Sequence, residues 1–399
     1  MRESFVWAFG ARRRIAGAVL ASALAASMVA GCGSGDSSTS TSSSATGTSS
    51  ASTTGGEASA AVQAAKAQVA KYAAEQPPLE VPSFGGTPPS GKSLALLSCA
   101  LPVCKTAIDA SVAAAKQIGW TPKVINWDLT PEGYVSAWNQ VLQSNPDAVV
   151  YVGALPSAIV QKQLDELAKR KVPAVVLAPA GDQLSGPVVA SYAGAPAVGQ
   201  SGTLMGDVVV ADSGSTPPKA VLVTDKNFEA VFGPAISAFT KLVSGAGGST
   251  QTLAISAQDA GKGVPGQIVS FLQANPDVTY VVAPTNDYLI GVPQALASAG
   301  LADKVKLIGR APQAANLKDI AAGRQFAGVT EENEAAGWRS VDALARTIAG
   351  KDDFEKNPQG QHQIITKDNA SDVKLDASQT PATTGSPEAF LEAWGVSGQ

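Results

Sequence analysis

Short apolar runs alternate along most of this chain with longer segments that have the apolar spacing of a helix. Runs such as 94–98 and 148–152 consist almost entirely of Leu, Ala, Val and Tyr, which is typical of strands buried on both faces. Between the runs, apolar residues recur three and four positions apart, as on a helix with one buried face. Strands that alternate with helices favour a parallel sheet covered on both sides. The pattern therefore predicts an α/β fold.

One stretch of this pattern occurs twice. Leu-Gln-Ser-Asn-Pro-Asp at 142–147 and Leu-Gln-Ala-Asn-Pro-Asp at 272–277 each end a predicted helix and precede a short apolar run. Asn-Pro-Asp is a turn sequence, because proline cannot continue the helix and Asn and Asp bond to nearby backbone. Both copies occupy the same place in the alternation of strands and helices. We therefore expect two similar, doubly wound parallel-sheet lobes with a cleft between them.

The elements follow from the same periodicity in chain order. Strands are predicted at 94–98, 122–127, 148–152, 172–177, 188–191, 220–224, 251–256, 278–282, 305–309, 326–329 and 363–366. Helices are predicted at 61–75, 104–118, 131–143, 157–170, 197–211, 232–244, 265–274, 288–299, 314–322, 334–348 and 387–394.

The first 31 residues are predicted to be an export signal. Arg12, Arg13 and Arg14 precede an apolar run at 15–29 that is too short to span a bilayer comfortably. The run ends in Val-Ala-Gly-Cys32, which resembles the lipobox of bacterial lipoproteins, in which the cysteine thiol carries a diacylglyceryl group. An ordinary secretory signal with an incidental cysteine is the alternative. A lipidated Cys32 would anchor the protein to the outer face of the bacterial cell membrane.

The segment after Cys32 differs in composition from the rest of the chain. Residues 32–60 are mainly Gly, Ser, Thr and Ala, which predicts a disordered tether between the anchor and the folded part. Residues 61–91 are predicted to form a helix and an extended lead-in. The chain has 399 residues, of which 45% are hydrophobic, and this length and hydrophobic content are enough for two folded units. Its net charge is −4. No basic run occurs outside the N-terminus, so we expect no nucleic-acid partner. We also expect a monomer.

The three cysteines suggest a disulfide. If Cys32 is lipidated, Cys99 and Cys104 remain as an even number in an oxidising compartment, which favours a bond between them. Two buried free thiols are the alternative. A metal pair lacks further ligands, because the only histidine, His362, is distant in sequence. The bond would close a short loop and would rigidify a turn more than it would stabilise the fold.

The sequence contains no convincing catalytic or cofactor-binding motif. Residues 86–93 satisfy G-x-x-x-x-G-K-[ST], but the strand follows them and two prolines remove N–H groups that would hold phosphate. A single histidine and the absence of G-x-S-x-G and H-E-x-x-H argue against a hydrolase or a zinc enzyme. We expect no catalysis, no cofactor and no metal.

Six stretches together resemble the type I periplasmic binding proteins of the ribose-binding class, a family related to sugar-responsive repressors. The resemblance covers about residues 92–399. It implies three crossings between the lobes, with 92–192 and about 333–362 in the first lobe and 193–332 and about 363–399 in the second. It also implies a solute-binding protein that delivers a sugar or similar small polar solute to ABC permease subunits. The stretches are Asn-Pro-Asp-Ala-Val-Val-Tyr-Val at 145–152, 172–177, 284–287 with Gly291, 307–310, 366–369 and 394–396.

The family binds its ligand with loops at the carboxyl ends of the strands. In the first lobe the resemblance maps this role onto the apolar loop with Cys99 and Ala100, and the usual Asp-Arg clamp is replaced by the Ala-Pro-Ala sequence at 178–180. In the second lobe it maps the role onto Asp225, Phe228, Phe232, Asn286, Asp287, Arg310 and Glu331.

Several of these positions have a second interpretation. The Asn286-Asp287 pair could cap the following helix, and Phe228 and Phe232 could be packing residues. Trp127 at a strand end could stack on a sugar or belong to the core. Arg310 could bind a carboxylate or phosphate on the ligand, or pair with Glu331. At the level of function, a sensor partner of a membrane receptor is the alternative to uptake, because both use the same closed form.

Overall fold

The structure is a computed structural model that describes residues 53–181, 184–377 and 379–396. The predicted export signal, the lipidation site Cys32 and most of the predicted tether lie outside the described residues. Helix α1 (Thr53–Ala73) begins inside the segment predicted to be disordered. Its alanine-rich sequence favours a helix, and Val62 and Ala65 are buried together with Val210. The tether prediction is therefore corrected for residues 53–60.

The first sheet is parallel throughout. Its strands β2 and β1 lie at one side and β5 at the other, in the order β2-β1-β3-β4-β5. All residues of β3 and β4 are buried, as expected for strands covered on both faces. The edge strand β2 has exposed residues and contains Pro122, which an edge tolerates. The strands are β1 (Ser93–Cys99), β2 (Thr121–Trp127), β3 (Ala148–Val152), β4 (Ala174–Leu177) and β5 (Val188–Tyr192).

Three helices connect these strands: α2 (Pro102–Gln117), α3 (Pro131–Gln143) and α4 (Gln161–Lys169). Proline occupies the first turn of α2 and α3, where its missing N–H has no helical partner to lose. Thr130 caps α3, since its hydroxyl accepts a hydrogen bond from the Gly133 N–H at 3.0 Å.

The second sheet has the order β11-β10-β9-β8-β6-β7. Its last strand, β11, runs antiparallel to β10, whereas the other pairs are parallel. The strands are β6 (Lys219–Thr224), β7 (Ser249–Ala254), β8 (Tyr280–Ala283), β9 (Lys306–Arg310), β10 (Ala327–Val329) and β11 (Ile364–Thr366). The helices are α5 (Ala195–Ser213), α6 (Glu229–Gly245), α7 (Val264–Ala274), α8 (Val292–Ser298) and α9 (Ala314–Ala321).

The helix predicted at 288–299 is interrupted. A 3₁₀ turn, Asn286–Leu289, comes first, and α8 starts only at Val292. Between them Gly291 has a φ of 78°, a left-handed conformation that breaks the helix and that glycine adopts without steric cost.

The last two helices pack with the first sheet. Helix α10 (Asn333–Ile348) lies against α2 and the strands β3–β5. Helix α11 (Glu388–Trp394) packs on α10, with the Trp394 ring 5.6 Å from the Trp338 ring and its Nε1–H donating to Asp342 at 2.7 Å. The prediction placed this C-terminal segment in the second lobe. Its buried aromatic residues place it on the first.

We call the first sheet with α2–α4, α10 and α11 the first lobe, and the second sheet with α5–α9 and α1 the second lobe. The chain passes between the lobes five times: at 74–92 after α1, at the three hinge segments 193–194, 330–332 and 349–363, and at 367–387 before α11. The predicted α/β fold, with parallel sheets and a three-segment hinge, is confirmed, apart from the antiparallel β11.

Candidate functional site

The candidate site is the cleft where the carboxyl ends of the strands of both sheets meet. Strands β1, β3 and β4 of the first lobe and β6, β9 and β10 of the second end at this cleft, which is the usual ligand position in open α/β sheets. The cleft encloses a cavity of about 50 Å³, well below the roughly 300–1,000 Å³ of typical ligand pockets. The lobes already touch around it.

The first lobe contributes an apolar face to this cavity, which we call the first-lobe wall. Its centre is a disulfide between Cys99, at the end of β1, and Cys104, on the first turn of α2, with their Cα atoms 5.6 Å apart. The predicted disulfide is confirmed. The wall consists of Cys99, Leu101, Val103, Cys104, Ala107, Val152, Ala154, Leu177 and Ala178.

Backbone hydrogen bonds of the first-lobe wall are largely satisfied within the protein. The Cys104 N–H donates to the Leu101 carbonyl at 3.1 Å, and the Ala178 N–H donates to the Tyr192 carbonyl at 2.9 Å. The Leu101 N–H contacts the Cys99 sulfur at 3.4 Å. The wall therefore presents few hydrogen-bonding groups to a ligand.

The second lobe and the hinge contribute a buried ion pair. The Arg310 Nη1 lies 3.0 Å from the Glu331 Oε2, and the two side chains are only 4% and 3% exposed. The Arg310 Nε–H also donates to the Pro284 carbonyl at 2.9 Å, and the guanidinium lies 5.5 Å from the centre of the Phe232 ring. Of the two interpretations of Arg310, the pairing with Glu331 is the one present in this structure. A direct contact of Arg310 with a ligand stays a prediction.

The second carboxylate oxygen of Glu331 has a different environment. Glu331 lines the cavity, and its Oε1 is buried without a hydrogen-bond partner among the described residues. A buried polar atom without a partner costs about 1–3 kcal/mol. A ligand that donates a hydrogen bond to this oxygen would remove that cost.

Asp287 connects the two lobes. Its Oδ2 accepts a hydrogen bond from the backbone N–H of Val103, in the first turn of α2, at 3.3 Å. Leu101, the N-cap residue of α2, offers no side-chain acceptor, so an aspartate of the other lobe satisfies a free N–H of that helix. Burial raises the pKa of Asp287 to about 6, and the hydrogen bond from Val103 and the charge of Arg310 oppose the shift. A second inter-lobe bond runs from the Gln258 amide to the Asp128 carbonyl at 3.4 Å.

Two other predicted ligand contacts have internal partners in this structure. The Asn286 amide donates to the Arg310 carbonyl at 3.1 Å and accepts from Gln325 at 2.8 Å, and the residue is fully buried. Asp225 accepts from the N–H groups of Asn227 and Ala257 at 2.8 and 2.7 Å. Asn286 and Asp225 therefore position loops, and a ligand contact by either stays a prediction.

The remaining predicted residues divide into two groups. Phe228 and Phe232 line the cavity, with ring centres 6.4 Å apart. Trp127 is buried against Tyr134, with ring centres 4.8 Å apart, and is not among the residues that line the cavity. Ala100 is exposed and is not among the residues that line the cavity. Of the two interpretations of Trp127, its position in this structure is that of a core residue.

Five helical residues that line the cavity were not anticipated. They lie on α2, α6 and α10, so no strand-end signal marks them: Val103, Ala107, Val231, Asn333 and Ala336. The four apolar ones are indistinguishable in sequence from ordinary helix packing residues, and Asn333 stands at the first position of its helix, where a polar residue is common. Only the approach of the two lobes places them at the cavity.

Among the described residues, no helix combines the length and apolar character of a membrane span. Nor do three or more His, Cys, Asp or Glu side chains cluster there with the geometry of a metal site.

This fold and cleft define a class of protein. Residues 102–352 match the family described as a periplasmic binding protein domain, and the chain belongs to that family. The resemblance to type I periplasmic binding proteins is confirmed. No curated protein matches the chain in sequence.

Solved structures share the fold at low sequence identity. GanP, a glucose-galactose binding protein from Geobacillus stearothermophilus, is 18% identical with a TM-score of 0.62, covering 70% of this chain and 99% of its own. An ABC transporter solute binding protein from Agrobacterium vitis with bound allitol is 17% identical with a TM-score of 0.62, covering 71% and 98%. One from Burkholderia graminis in complex with D-arabinose is 14% identical with a TM-score of 0.63, covering 70% and 96%.

Proposed function

We propose that this chain is an extracytoplasmic solute-binding lipoprotein that closes its two lobes around a small solute and delivers it to an ABC permease. The observation that carries the proposal is the cavity at the meeting carboxyl ends of both sheets, with hydrogen bonds joining the lobes beside it. Burial between two lobes allows a small ligand to be contacted on most of its surface.

The hinge segments support a closing motion. The crossings at 330–332 and 349–363 run side by side, since the Thr330 N–H donates to the Gln363 carbonyl at 2.8 Å and the Gln363 N–H donates to the Thr330 hydroxyl at 2.8 Å. His362 contacts the Thr330 carbonyl through Nδ1 at 2.9 Å. Segments paired in this way can bend together while the sheets on either side stay rigid.

Sugars and polyols are the first solutes to test. Two of the structural relatives hold allitol and D-arabinose. The protein would act as a monomer that binds its solute without transforming it, and its membrane partner would be the permease. Cys32 would supply the anchor through its lipid.

Calorimetric titration against pentoses, hexoses, polyols and small amines or acids, paired with small-angle scattering, tests binding and closure together. We expect at least one solute to bind and to reduce the radius of gyration. If no solute of any class binds or changes the scattering of the folded protein, the proposal fails.

The anchor is tested separately from binding. Expressed in a bacterium with lipoprotein processing, the wild-type protein should partition into detergent and Cys32→Ala into the aqueous phase. Equal partitioning of the two proteins would contradict a lipid on Cys32 and would leave the binding proposal untouched.

A further inference from the structure

The cleft differs in chemistry from what a sugar requires. A pyranose or furanose carries hydroxyls around its whole rim, and each hydroxyl needs a hydrogen-bond partner once it is buried. The first-lobe wall offers aliphatic side chains and a disulfide, and Asn333 of α10 adds a single amide side chain. The N–H groups of Leu101, Val103 and Ala178 already have acceptors within the protein. Phe228, Val231 and Phe232 continue the apolar surface on the second lobe.

The charged groups at the cavity are few and asymmetrical. Arg310 is the one basic side chain and Glu331 the one acidic side chain among the described residues that line it. Arg310 is held by Glu331 and by the Pro284 carbonyl. Glu331 keeps its buried Oε1 without a partner. Of the atoms of this pair, the one that is buried and lacks a partner is therefore an acceptor.

The surrounding charges point the same way. Asp287 and Asp225 are buried in the adjoining second-lobe loops, so with Glu331 this part of the lobe holds three carboxylates and the one guanidinium of Arg310, whose charge acts on Asp287. A carboxylate or phosphate on a ligand would enter this site against that excess of negative charge.

We propose that the solute is a small molecule with an apolar body and a single hydrogen-bond-donating head group, an amine or a hydroxyl. The body lies between the first-lobe wall and the rings of Phe228 and Phe232, and the head donates to Glu331 Oε1. This inference rests on the proposed function and replaces its sugar-like solute with a different chemical class.

Two matched series of probes test the head group. Benzylamine, benzyl alcohol and benzoate share one ring, and isobutylamine, isobutanol and isobutyrate share a smaller body; L-arabinose and ribose serve as polar comparisons. Calorimetry with the folded wild-type protein should find the amine or the alcohol at least tenfold tighter than the acid and than either pentose. A dominant amine identifies a cationic head, and a dominant alcohol a neutral one.

Other outcomes overturn the inference. Tightest binding of a pentose, or of an acid, contradicts it directly. So does the failure of every probe in both series. If a sugar then closes the lobes, the proposed function stands and only the ligand class is wrong. If nothing closes them, both fail.

Two variants in β3 test the body of the ligand without disturbing the ion pair. Val152→Thr places a hydroxyl on the first-lobe wall at nearly constant volume, and should weaken the apolar probes about fourfold, the loss of roughly one buried methyl group. Val150→Thr is the matched control, because Val150 is buried two residues earlier on the same strand and does not line the cavity. Equal weakening by both variants would indicate a general loss of stability and contradict the wall contact.

Glu331→Gln tests the head. It retains an acceptor and removes the charge, so it should weaken an amine about tenfold and an alcohol less, because charge-assisted hydrogen bonds are roughly twice as strong as neutral ones. Circular dichroism and thermal unfolding establish that the variant is folded. Unchanged affinity for the tightest probe in a folded Glu331→Gln protein would remove Glu331 from the site.

Discussion

The aspartates of the two Asn-Pro-Asp turns each bind the start of a neighbouring strand, but through different partners. In the first lobe Asp147 accepts hydrogen bonds from the backbone N–H and the hydroxyl of Ser93, at 2.8 and 2.7 Å, where β1 starts. In the second lobe Asp277 pairs with the side chain of Lys219, at 2.8 Å, where β6 starts. Each aspartate thus ties the turn before one central strand to the start of the adjacent central strand.

At the opposite ends of the same strands the two lobes diverge. The first lobe presents the disulfide and aliphatic side chains to the cavity, whereas the second presents Phe228, Phe232 and Arg310. The polar residues Asp225, Asn286 and Asp287 are buried in the adjoining second-lobe loops. The interactions that build the sheets are equivalent in both lobes, and the groups that face the cleft are not. The comparison shows that equivalent scaffold interactions can support two different cleft faces, and each prediction below tests one part of this contrast.

The largest effect should come from the buried ion pair of the cleft. Arg310→Met leaves the Glu331 carboxylate buried without its cation, which typically costs about 3–5 kcal/mol of unfolding free energy. Arg310→Met with Glu331→Leu removes both charges and should recover most of the loss. Urea unfolding of the three proteins measures this. A single variant as stable as the wild type would mean that the pair is open to water.

The next prediction concerns how stability changes with pH through one aspartate in each lobe. The pKa of Asp287 is raised to about 6 by burial, so its contribution to stability is present below about pH 4 and is lost as the pH rises through 6. Asp287→Asn should therefore be more stable than the wild type at pH 7, by at most about 3 kcal/mol, and equally stable at pH 4.

Asp147 supplies the opposite case. Hydrogen bonds from Ser93 lower its pKa, so its contribution is present at neutral pH and is lost as the pH falls below its ordinary range. Asp147→Asn should be less stable than the wild type at pH 7. Thermal unfolding of both variants across pH 4–8 checks the contrast, and shifts of the same sign in the two variants would refute it.

A third prediction concerns the scaffold, where the lobes should respond alike. A Cβ at Gly337 in α10 would lie 2.3 Å from the Ala107 carbonyl of α2, and a Cβ at Gly202 in α5 would lie 2.2 Å from the Ala235 carbonyl of α6. Gly337→Ala and Gly202→Ala should each destabilise the protein by about 2 kcal/mol, as overpacking does. Exposed Gly245 has open space around it and serves as the control. A neutral result at only one of the two positions would break the symmetry of the scaffold.

The smallest effect should come from the disulfide, which has no counterpart in the second lobe. The double variant Cys99→Ala with Cys104→Ala removes a disulfide between residues five positions apart. Closing so short a loop contributes about 2 kcal/mol or less to the free energy of unfolding. The change should also loosen the first turn of α2, which Asp287 holds from the other lobe. Thermal unfolding with and without reductant measures the first effect. If reductant makes the wild-type thiols reactive without lowering the unfolding temperature, this stabilising effect of the disulfide is contradicted.

The sequence predicted the scaffold well for a physical reason. Strands such as β3 are buried on both faces, so their apolar runs are continuous, and the turns between elements carry Gly, Pro and Asp. The predictions differed where tertiary contacts decide the result. Helix α11 lies on the first lobe because Trp394 and Phe390 pack with Trp338, a contact between residues far apart in sequence.

The candidate site was only partly predictable. The loops were identified because strand ends carry the site in this class of fold, and Arg310, Glu331, Phe228 and Phe232 do line the cavity. Asn286 matches the expected motif, yet its amide is bonded to Gln325 and to the Arg310 carbonyl. The side of a loop residue that faces the cleft depends on how the two lobes approach each other. The hydrophobic periodicity within one lobe does not predict that approach.

A solute held between the first-lobe wall and Glu331 should draw the two lobes together. The most direct test is a distance measurement by electron spin resonance between labels at Lys123→Cys in the first lobe and Gln251→Cys in the second. Both positions are exposed, and Cys32 is replaced by serine. With saturating benzylamine or benzyl alcohol, whichever binds more tightly in calorimetry, we expect a single, shorter and narrower distance distribution. A distribution unchanged at concentrations where calorimetry detects binding would contradict it.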